Sequence, residues 1–383
     1  MASSNRGRRQ KRRVRLNRAR FFRFILAVLL LILIIVLVVR CAAGSSKKAE
    51  DSSAQKEQTK TEQTEKKVKD VEITVSAVGD CTLGKDPSSA YVTSFNAAYE
   101  KEGADWFLEN VAPVFEKDDV TIANFEGTLT DSNAAENKTF TFKGDDEYLD
   151  VLTGSGVDFL SFANNHAHDY GEEGYKDTLA VFEKNEVPYA SYDKVGMMKV
   201  KGIKVGLVSV YGENAFTDIE EGIKELKEKK ADIIIVSMHS GAERSYYPAQ
   251  RLIDLGHLAV DEGADLVVGH HPHVLEGVEY YKGVFIDYSL GNFCFGGNRN
   301  PSDLNTVILQ KTFKIKDGKL KRDKQLHIIP CRISSVSSYN NYQPAIVSGQ
   351  DKKNILSKMD QYSQQFDISF DSEGDVKFPE KEN

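Results

Sequence analysis

Short apolar segments rich in β-branched residues recur along residues 71–383, and polar residues follow them. Residues 71–78 alternate hydrophobic and polar side chains, which is typical of a strand with one buried face. Five further segments predict strands: 120–124, 157–163, 205–210, 232–238 and 264–268. Apolar positions at helical spacing predict helices: 106–115, 172–184, 219–229, 248–262 and 351–366. This alternation predicts an α/β fold in which helices cover a sheet.

Two hairpins are predicted towards the C-terminal end of the same region. Residues 278–292 turn at Lys282-Gly283, and residues 306–329 turn at Asp317-Gly318. A hairpin-like segment also follows the last predicted helix. Residues 71–383 are within the size range of one large α/β domain, so we assign all these elements to it.

The first forty residues combine a basic segment with an apolar one. Residues 1–20 carry nine basic side chains and no acidic one, and residues 24–39 are apolar throughout. This run is slightly short for a hydrocarbon core of ~30 Å, but Arg23 and Arg40 can reach the two interfaces. We therefore expect a single-pass transmembrane helix over 21–40, with residues 1–20 cytoplasmic and the main domain extracytoplasmic at the cell membrane.

A cleaved signal peptide and a lipoprotein are the alternatives for this segment. The apolar run is longer than a typical signal-peptide core, and no clear small-x-small cleavage motif follows it. Arg40 directly precedes Cys41, which fits lipoprotein processing poorly. An uncleaved anchor is the favoured interpretation.

Charge is distributed unevenly along the chain. Residues 44–70 hold one large apolar side chain, Val68, among mixed charges, so residues 41–70 are predicted to form a polar, disordered stalk. Residues 71–383 hold 32 basic and 51 acidic side chains, a formal charge of −19. This charge argues against nucleic acid as a partner, and an anionic substrate would need local cations.

The four cysteines define no disulfide framework. Cys41 lies at the predicted membrane edge, which leaves Cys81, Cys294 and Cys331 in the domain. Three small buried side chains are the simplest interpretation, and a Cys81–Cys294 bridge is the alternative.

Polar residues cluster at the C-terminal ends of successive predicted strands, the edge where sites assemble in open α/β folds. Six of the eight histidines occur in these loops, and only His257 and His327 lie elsewhere. The loops are Gly79-Asp80, Asn124-Phe125-Glu126, Asn164-Asn165-His166 with His168-Asp169, His239 with Glu243, and Gly269-His270-His271-Pro272-His273. Carboxylates, an amide and imidazoles suit Zn, Mn, Fe or Mg, so we predict one or two divalent metal ions, able to polarise an ester or amide.

Each motif also has a purely structural interpretation. Gly79-Asp80 after a strand is most often a turn, and His239 could be a hydrogen-bonded core histidine. The run from His270 to His273 is more specific, because three imidazoles in four residues rarely serve packing. Their recurrence at five strand ends favours a site over coincidence.

Six segments between residues 71 and 295 occur in an order and spacing that resemble a known family. They are Gly79-Asp80-x-x-Leu83-Gly84, Asn124-Phe125-Glu126, Asn164-Asn165-His166-x-x-Asp169-x-Gly171, His239-x-Gly241-x-Glu243, the run 263–274, and Tyr288-Ser289-Leu290-Gly291-Asn292-Phe293. On these residues the domain resembles the poly-γ-glutamate capsule biosynthesis family, often called CapA, whose fold is similar to calcineurin-like metallophosphoesterases. The resemblance implies a metallophosphatase-like, layered β-sheet core flanked by helices.

The resemblance also implies roles for individual residues. The implied metal ligands are Asp80, Glu126, Asn165, His239, His271 and His273. His166 would be the general acid or orienting donor, with Asp169 orienting its ring. Glu243, His270 and Asn292 would contact substrate or support the ligands.

Two positions depart from the family pattern. Ser240 stands where the family usually has Trp, which removes an aromatic wall. Thr82 stands where calcineurin-like enzymes have the histidine of Asp-x-His, which puts a complete two-metal site in doubt. Ser289 lacks the strand-to-helix elbow of a nucleophile and is interpreted as a structural residue.

Three functions follow as hypotheses. The first is a metal-dependent hydrolase or transferase in synthesis, export or anchoring of poly-γ-glutamate or a related cell-envelope polymer. The second is a non-catalytic accessory protein that binds the polymer or membrane synthase subunits through a vestigial metal pocket. The third is a general phosphoesterase. The missing histidine at Thr82 favours the second hypothesis, and the retained His239, His271 and His273 favour the first.

Overall fold

Two β-sheets that share one hydrophobic interior form the centre of this protein. The computed structural model describes residues 70–379. The predicted basic segment 1–20, transmembrane helix 21–40 and nearly all of the stalk 41–70 lie outside the described residues. Within residues 70–379, no helix combines the length and apolar character needed to cross a membrane.

Residues 70–379 contain nineteen strands, eight α-helices and three short 3-10 helices. The strands are β1 (Val71–Thr82), β2 (Val120–Phe125), β3 (Thr128–Leu129), β4 (Lys143–Gly144), β5 (Phe159–Ser161), β6 (Tyr189–Ala190), β7 (Gly196–Val200), β8 (Ile203–Tyr211), β9 (Ile233–His239), β10 (Leu266–His270), β11 (Val278–Tyr281), β12 (Val284–Asp287), β13 (Asn292–Phe295), β14 (Asn305–Lys316), β15 (Lys319–Lys321), β16 (His327–Arg332), β17 (Ala345–Ile346), β18 (Ser369–Phe370) and β19 (Val376–Lys377). The α-helices are α1 (Phe95–Glu102), α2 (Ala104–Leu108), α3 (Ala112–Phe115), α4 (Asp150–Thr153), α5 (Gly171–Lys184), α6 (Ala215–Glu228), α7 (Gln250–Asp261) and α8 (Gly349–Ser363). The 3-10 helices are Tyr91–Thr93, Asp146–Leu149 and Gln364–Phe366.

The first sheet has nine strands, with β1 near its centre. Its order is β17-β16-β14-β1-β2-β5-β6, with β13 paired to the end of β1 and β15 to β14. Neighbours among β1, β2, β5 and β6 are parallel, whereas β14 is antiparallel to β1. The parallel strands therefore end at one edge of the sheet, where their loops can meet.

The second sheet has six strands in the order β11-β12-β10-β9-β8-β7. Its four central strands are parallel, and each edge strand forms a hairpin with its neighbour. His239 and His270 are the last residues of β9 and β10 and are register partners. The second sheet thus also brings its polar strand ends together at one edge.

Alternation along the strands determines which side chains each layer buries. Ile73 and Val75 of β1 join Val205 and Leu207 of β8 in one buried cluster between the sheets. A second cluster packs the outer face of the first sheet against α1, α2, α3 and α5. A third packs the outer face of the second sheet against α6 and α7. The fold is therefore mixed α/β, with a layered β-sheet core flanked by helices, as predicted.

All six predicted strands and both predicted hairpins are present within residues 70–379, although most ends shift by a few residues. Two elements differ for physical reasons. The helix predicted over 106–115 is divided into α2 and α3, because Pro113 is tolerated in the first turn of α3 but would clash inside a continuous helix. β5 is shorter than 157–163, and Ala163 donates its N–H to the Ser209 hydroxyl at 2.9 Å. Helix α1 was not predicted from the sequence; Ser94 caps its first turn.

The three cysteines of the described region are buried free thiols. Cys81, Cys294 and Cys331 are each fully shielded from solvent and unbonded. Burial raises the pKa of the Cys81 thiol to about 12, which keeps it protonated. These side chains act as small apolar residues, which was the simplest interpretation of the sequence.

Within residues 70–379, two carboxyl groups with no solvent exposure lie outside the candidate site. Glu276 and Asp287 are fully buried, and neither side-chain oxygen of Glu276 has a hydrogen-bond partner among residues 70–379. Burial, and then the neighbouring charge of Asp287, raise the pKa of Glu276 to about 9. Burial also raises the pKa of Asp287 well above its ordinary value. Glu276 is therefore protonated in the folded protein at neutral pH.

We predict that Glu276 makes folding less favourable as pH rises. The unfolded chain releases this proton near the ordinary pKa of 4.5, whereas the folded chain keeps it until about 9. The contribution of Glu276 to the free energy of unfolding is therefore fully present below pH 4.5 and declines between pH 4.5 and about 9. Glu276→Gln should raise the melting temperature at pH 8 and change it little at pH 5, as measured by circular dichroism. Exposed Glu228→Gln is the control, and an equal shift of Glu276→Gln at both pH values would contradict the assignment.

Candidate metal centre

Five loops from the two sheets converge on one buried polar cluster. Asp80 lies near the end of β1, and Glu126 directly follows β2. The loop after β5 carries Asn165 and His166. The second sheet contributes His239 at the end of β9, and the turn after β10 adds a last group of side chains. That group is His270, His271 and His273.

The innermost group consists of two carboxylates and one imidazole. One ligand atom from each of Asp80, Glu126 and His273 lies within 4.8 Å of the others. His273 Nδ1 is 3.2 Å from Asp80 Oδ2, and its Nε2 is 3.8 Å from Glu126 Oε1. Both carboxylates are fully buried, and neither oxygen of Glu126 has a hydrogen-bond partner among the described residues. An orphaned, buried carboxylate beside a second one fits a bound cation.

A second group of three candidate ligands adjoins the first. Asn165 Oδ1 is 2.7 Å from His239 Nε2, and His271 Nδ1 is 3.2 Å from the same nitrogen. His239 Nε2 is also 3.6 Å from Glu126 Oε1, so Glu126 lies between the two groups. All six predicted ligands are therefore within one connected cluster, and their donor types suit a divalent metal.

The ionisable side chains of the cluster differ in the direction of their pKa shifts. Burial would raise the pKa of Asp80, but contacts with His270 and His273 outweigh it and hold that pKa well below its ordinary range. Burial, followed by the charge of Asp80, raises the pKa of Glu126. Burial opposes protonation of His273, yet Glu126 and Asp80 raise its pKa to about 10. Burial lowers the pKa of His239, so its imidazole is neutral, the form that binds metals.

His166 and Asp169 form a separate, oriented pair beside this cluster. His166 Nδ1 is 2.7 Å from Asp169 Oδ2. Asp169 is fully buried and also accepts from the Phe142 N–H at 2.6 Å and from Lys138 Nζ at 2.7 Å. His166 Nε2 is 3.9 Å from Glu126 Oε1. The carboxylate therefore holds Nδ1, and Nε2 is directed towards the cluster, as the predicted orienting role requires.

The three predicted substrate or supporting residues occupy different positions. Asn292 accepts from His273 Nδ1 at 2.9 Å and donates to the His273 carbonyl at 3.2 Å. His270 is almost fully buried, and its Nδ1 is 3.4 Å from Asp80 Oδ1, which favours support of Asp80 over substrate contact. Glu243 is exposed and lines a cavity of about 460 Å³ beside His166 and His273.

Asn124 is a site residue to which the sequence analysis gave no role. Its Nδ2 is 2.8 Å from Asp80 Oδ1 and 3.2 Å from His239 Nδ1, so one amide links the two sheets at the site. The sequence feature that could have indicated this role is the position of Asn124, two residues before Glu126 in the Asn124-Phe125-Glu126 motif. Thr82 is buried, and its hydroxyl has no hydrogen-bond partner within residues 70–379. No imidazole from that position reaches the cluster.

The turn after β10 has an uncommon backbone. His271 has φ of 97° and His273 has φ of 58°, values that side-chain-bearing residues rarely adopt. Arg244 donates its N–H to the Pro272 carbonyl at 2.8 Å, which attaches this turn to the loop after β9. The strained turn directs two imidazoles towards the cluster, and such strain persists only where surrounding contacts maintain it.

The segment 288–291 holds the two sheets together behind the cluster. An added Cβ at Gly79 would lie 2.0 Å from the Gly291 carbonyl oxygen, and one at Gly269 would lie 1.9 Å from that of Tyr288. Only glycine permits these approaches. Ser289 is buried and donates its hydroxyl to the Val274 carbonyl at 2.7 Å, which agrees with its interpretation as a structural residue.

The fold and this geometry define a class: a layered α/β protein with candidate metal ligands at the strand ends of two packed sheets. A family model described as "Bacterial capsule synthesis protein PGA_cap" matches residues 74–297. The chain therefore belongs to the PGA_cap family of bacterial capsule synthesis proteins, as its motifs indicated. The matched range includes every candidate site residue from Asp80 to Asn292.

The names of individual similar proteins are consistent with this family. The chain is 35% identical over 248 residues to the PGA biosynthesis protein CapA of Bacillus subtilis, covering 58% of this chain and 63% of that one. It is 29% identical over 253 residues to the capsule biosynthesis protein CapA of Bacillus anthracis, covering 58% and 60%. A probable polyglutamine synthesis accessory protein of Mycobacterium tuberculosis is 26% identical over 267 residues, covering 59% and 68%. The alignments thus span less than two thirds of the two CapA proteins.

Metal content tests the ligand assignment. We predict that His271→Ala combined with His273→Ala lowers bound divalent metal well below one equivalent, because the variant removes a ligand from each group. The matched controls are His257→Ala and His327→Ala. His257 pairs with Glu279 at 3.0 Å and His327 with Asp375 at 2.9 Å, both outside the cluster. Metal content is measured by mass spectrometry after dialysis, and equal content in all variants would refute the assignment.

Proposed function

We propose that this protein acts in synthesis, export or anchoring of poly-γ-glutamate or a related cell-envelope polymer, through a metal-dependent site of hydrolase or transferase type. The observation that carries the proposal is the orphaned, buried Glu126 beside Asp80 and His273. Membership of the PGA_cap family supplies the polymer class. Membrane synthase subunits are the proposed protein partners.

In this proposal six side chains hold one or two divalent ions, with Zn, Mn, Fe or Mg as candidates. Asp80, Glu126 and His273 form the first group, and Asn165, His239 and His271 form the second. When bound, such an ion supplies Lewis acidity towards an ester or amide carbonyl. Asn124 and His270 keep Asp80 in place.

His166 is the proposed proton donor or orienting group. Its Nε2 is directed towards the cluster while Asp169 holds Nδ1, so the ring can present a proton at one defined place. Phe142 packs on the ring at a centroid distance of 4.5 Å and restricts its rotation. Glu243 and Asn292 are placed to contact the substrate or to support His273.

Replacement of His166 distinguishes an enzyme from a non-catalytic binding protein. His166→Ala should keep its metal but lower hydrolysis or transfer of γ-glutamyl peptides by ~10²–10⁴, the usual contribution of a positioned acid or base. His168→Ala is the matched control, since His168 stacks on Tyr175 at 4.3 Å, pairs with Glu172, and makes no hydrogen bond or ion pair with the candidate ligands in residues 70–379. Peptide turnover is measured by chromatography, and model phosphodiesters are assayed in parallel to test a general phosphoesterase.

An accessory role is the second candidate, and the buried Thr82 in place of a histidine favours it. In that case His166→Ala would leave polymer output normal in a complemented cell and leave the metal in place. A metal-replete His166→Ala protein with unchanged output would therefore exclude the catalytic proposal.

We also propose that residues 21–40 anchor the protein in the cell membrane, with residues 71–383 outside the cytoplasm. The basic segment 1–20 and the apolar run 24–39 support this topology. External protease added to intact cells should remove the domain from the membrane, as detected by immunoblotting. Protection of the domain in intact cells, with cleavage only after lysis, would contradict this topology.

A further inference from the structure

The cavity of about 460 Å³ beside the cluster has an unusual charge for this protein. His166, His273 and Asn292 line it together with two arginines, Arg244 and Arg299. Glu243 is the one carboxylate among the described residues of its lining. Residues 71–383 as a whole carry a formal charge of −19. Two guanidinium groups are thus concentrated where the surrounding domain is strongly acidic.

Within residues 70–379, neither arginine has an ion-pair partner. Arg322 and Arg332 pair with Asp265 and Asp351, whereas Arg244 and Arg299 make no ion pair with residues 70–379. A guanidinium group without a carboxylate partner keeps its charge uncompensated and retains N–H donors for a ligand.

The side chain of Arg299 is held in position by its surroundings. Its Nη1 donates to the Thr93 carbonyl at 3.2 Å, and its guanidinium lies 4.1 Å from the Tyr339 ring centroid. The fully buried Asn340 donates its N–H to the Arg299 carbonyl at 2.8 Å and its side chain to the Phe295 carbonyl at 2.7 Å. The loop and the guanidinium are therefore oriented before any ligand binds, which reduces the entropic cost of binding.

Arg244 is fixed mainly through its backbone. Its φ is 63°, and its N–H donates to the Pro272 carbonyl between the two candidate ligands His271 and His273. The side chain is exposed. The backbone of Arg244 is therefore attached to the turn that carries His271 and His273, whereas its exposed guanidinium can move to contact a ligand.

We infer that Arg244 and Arg299 bind anionic oxygen groups of the substrate chain and hold it against the metal centre. This inference rests on the proposed function and adds the residues that select the substrate. Guanidinium groups bind carboxylates and phosphates through paired hydrogen bonds. Phe140, which is 54% exposed, and Phe142 also line the cavity and offer apolar contact. A chain in which carboxylates alternate with methylene groups satisfies both features.

Binding of defined oligomers to the purified full-length protein tests the inference. The probes are a fluorescent γ-linked glutamate oligomer, a glycerol phosphate oligomer of equal charge and a neutral γ-linked glutamine oligomer, with affinity read by anisotropy. Arg299→Gln should weaken binding of the glutamate oligomer about tenfold or more, because its guanidinium is pre-oriented. Arg244→Gln should weaken it about two- to fivefold, the range of exposed ion pairs. The neutral oligomer should be unaffected by either change.

The controls separate local recognition from net charge and from folding. Arg322→Gln removes the same charge outside the cavity, and its affinity should equal that of the wild type. Arg299→Lys keeps the charge but loses the fork and the ring contact, so it should recover only part of the affinity. Metal content should be unchanged in the Arg244 and Arg299 variants, since neither side chain makes a hydrogen bond or ion pair with a candidate ligand in residues 70–379. Circular dichroism at the assay temperature checks that each variant is folded, because Arg299 also contacts Thr93 and Tyr339.

The outcomes distinguish this inference from the function on which it rests. Wild-type affinity in both Gln variants, with the glutamate oligomer still bound, would overturn the arginine assignment and leave the proposed function standing. Binding of the phosphate oligomer alone, lost in both variants, would support the arginines as anion sites and refute poly-γ-glutamate as the polymer. Equal weakening by Arg322→Gln, or no binding of either anionic oligomer by the wild type, would overturn the inference.

Discussion

Two buried carboxylates, Asp80 and Glu126, impose the main constraint on this structure. Removing a carboxylate from water costs several kcal/mol unless charges or hydrogen bonds replace the lost hydration. Asn124, His270 and His273 provide this compensation for Asp80, but Glu126 has no hydrogen-bond partner among the described residues. The lost hydration of Glu126 is therefore not replaced by hydrogen bonds, which is the physical reason to expect a cation. The same cost favours the close approach of imidazoles from the other sheet.

The two-sheet architecture makes this convergence stable. Asp80 and Glu126 come from the first sheet, and His239 and His270 end neighbouring strands of the second. The shared core between the sheets fixes their relative position, and the segment 288–291 packs against Gly79 and Gly269 where any side chain would clash. Asp80 and His239 therefore lie at strand ends and Glu126 directly follows a strand, while a strained turn carries His271 and His273. Such a base can hold ligands within the narrow tolerances that metal binding requires.

The candidate centre separates three tasks among different side chains. One cluster is suited to a cation, the His166–Asp169 pair to a proton, and the arginine-lined cavity to an anionic chain. Asp169 is saturated by His166, Phe142 and Lys138 and does not enter the metal cluster. This separation lets each of the three proposed roles be tested by a separate substitution.

Local patterns in the sequence predicted six strands, both hairpins, most helices and the positions of the polar loops, because burial periodicity and turn residues act over a few neighbouring residues. The recurrence of histidines and carboxylates after successive strands predicted a metal site at these strand ends. The resemblance to a known family, and not the recurrence itself, implied the six candidate ligands and the roles of His166 and Asp169. Only the tertiary structure decided that the strands divide into two packed sheets, that Asn124 links Asp80 to His239, and that His270 is buried behind Asp80. It alone placed Arg244 and Arg299, 55 residues apart in the sequence, in the lining of one cavity. These features depend on packing between distant segments, which no local pattern encodes.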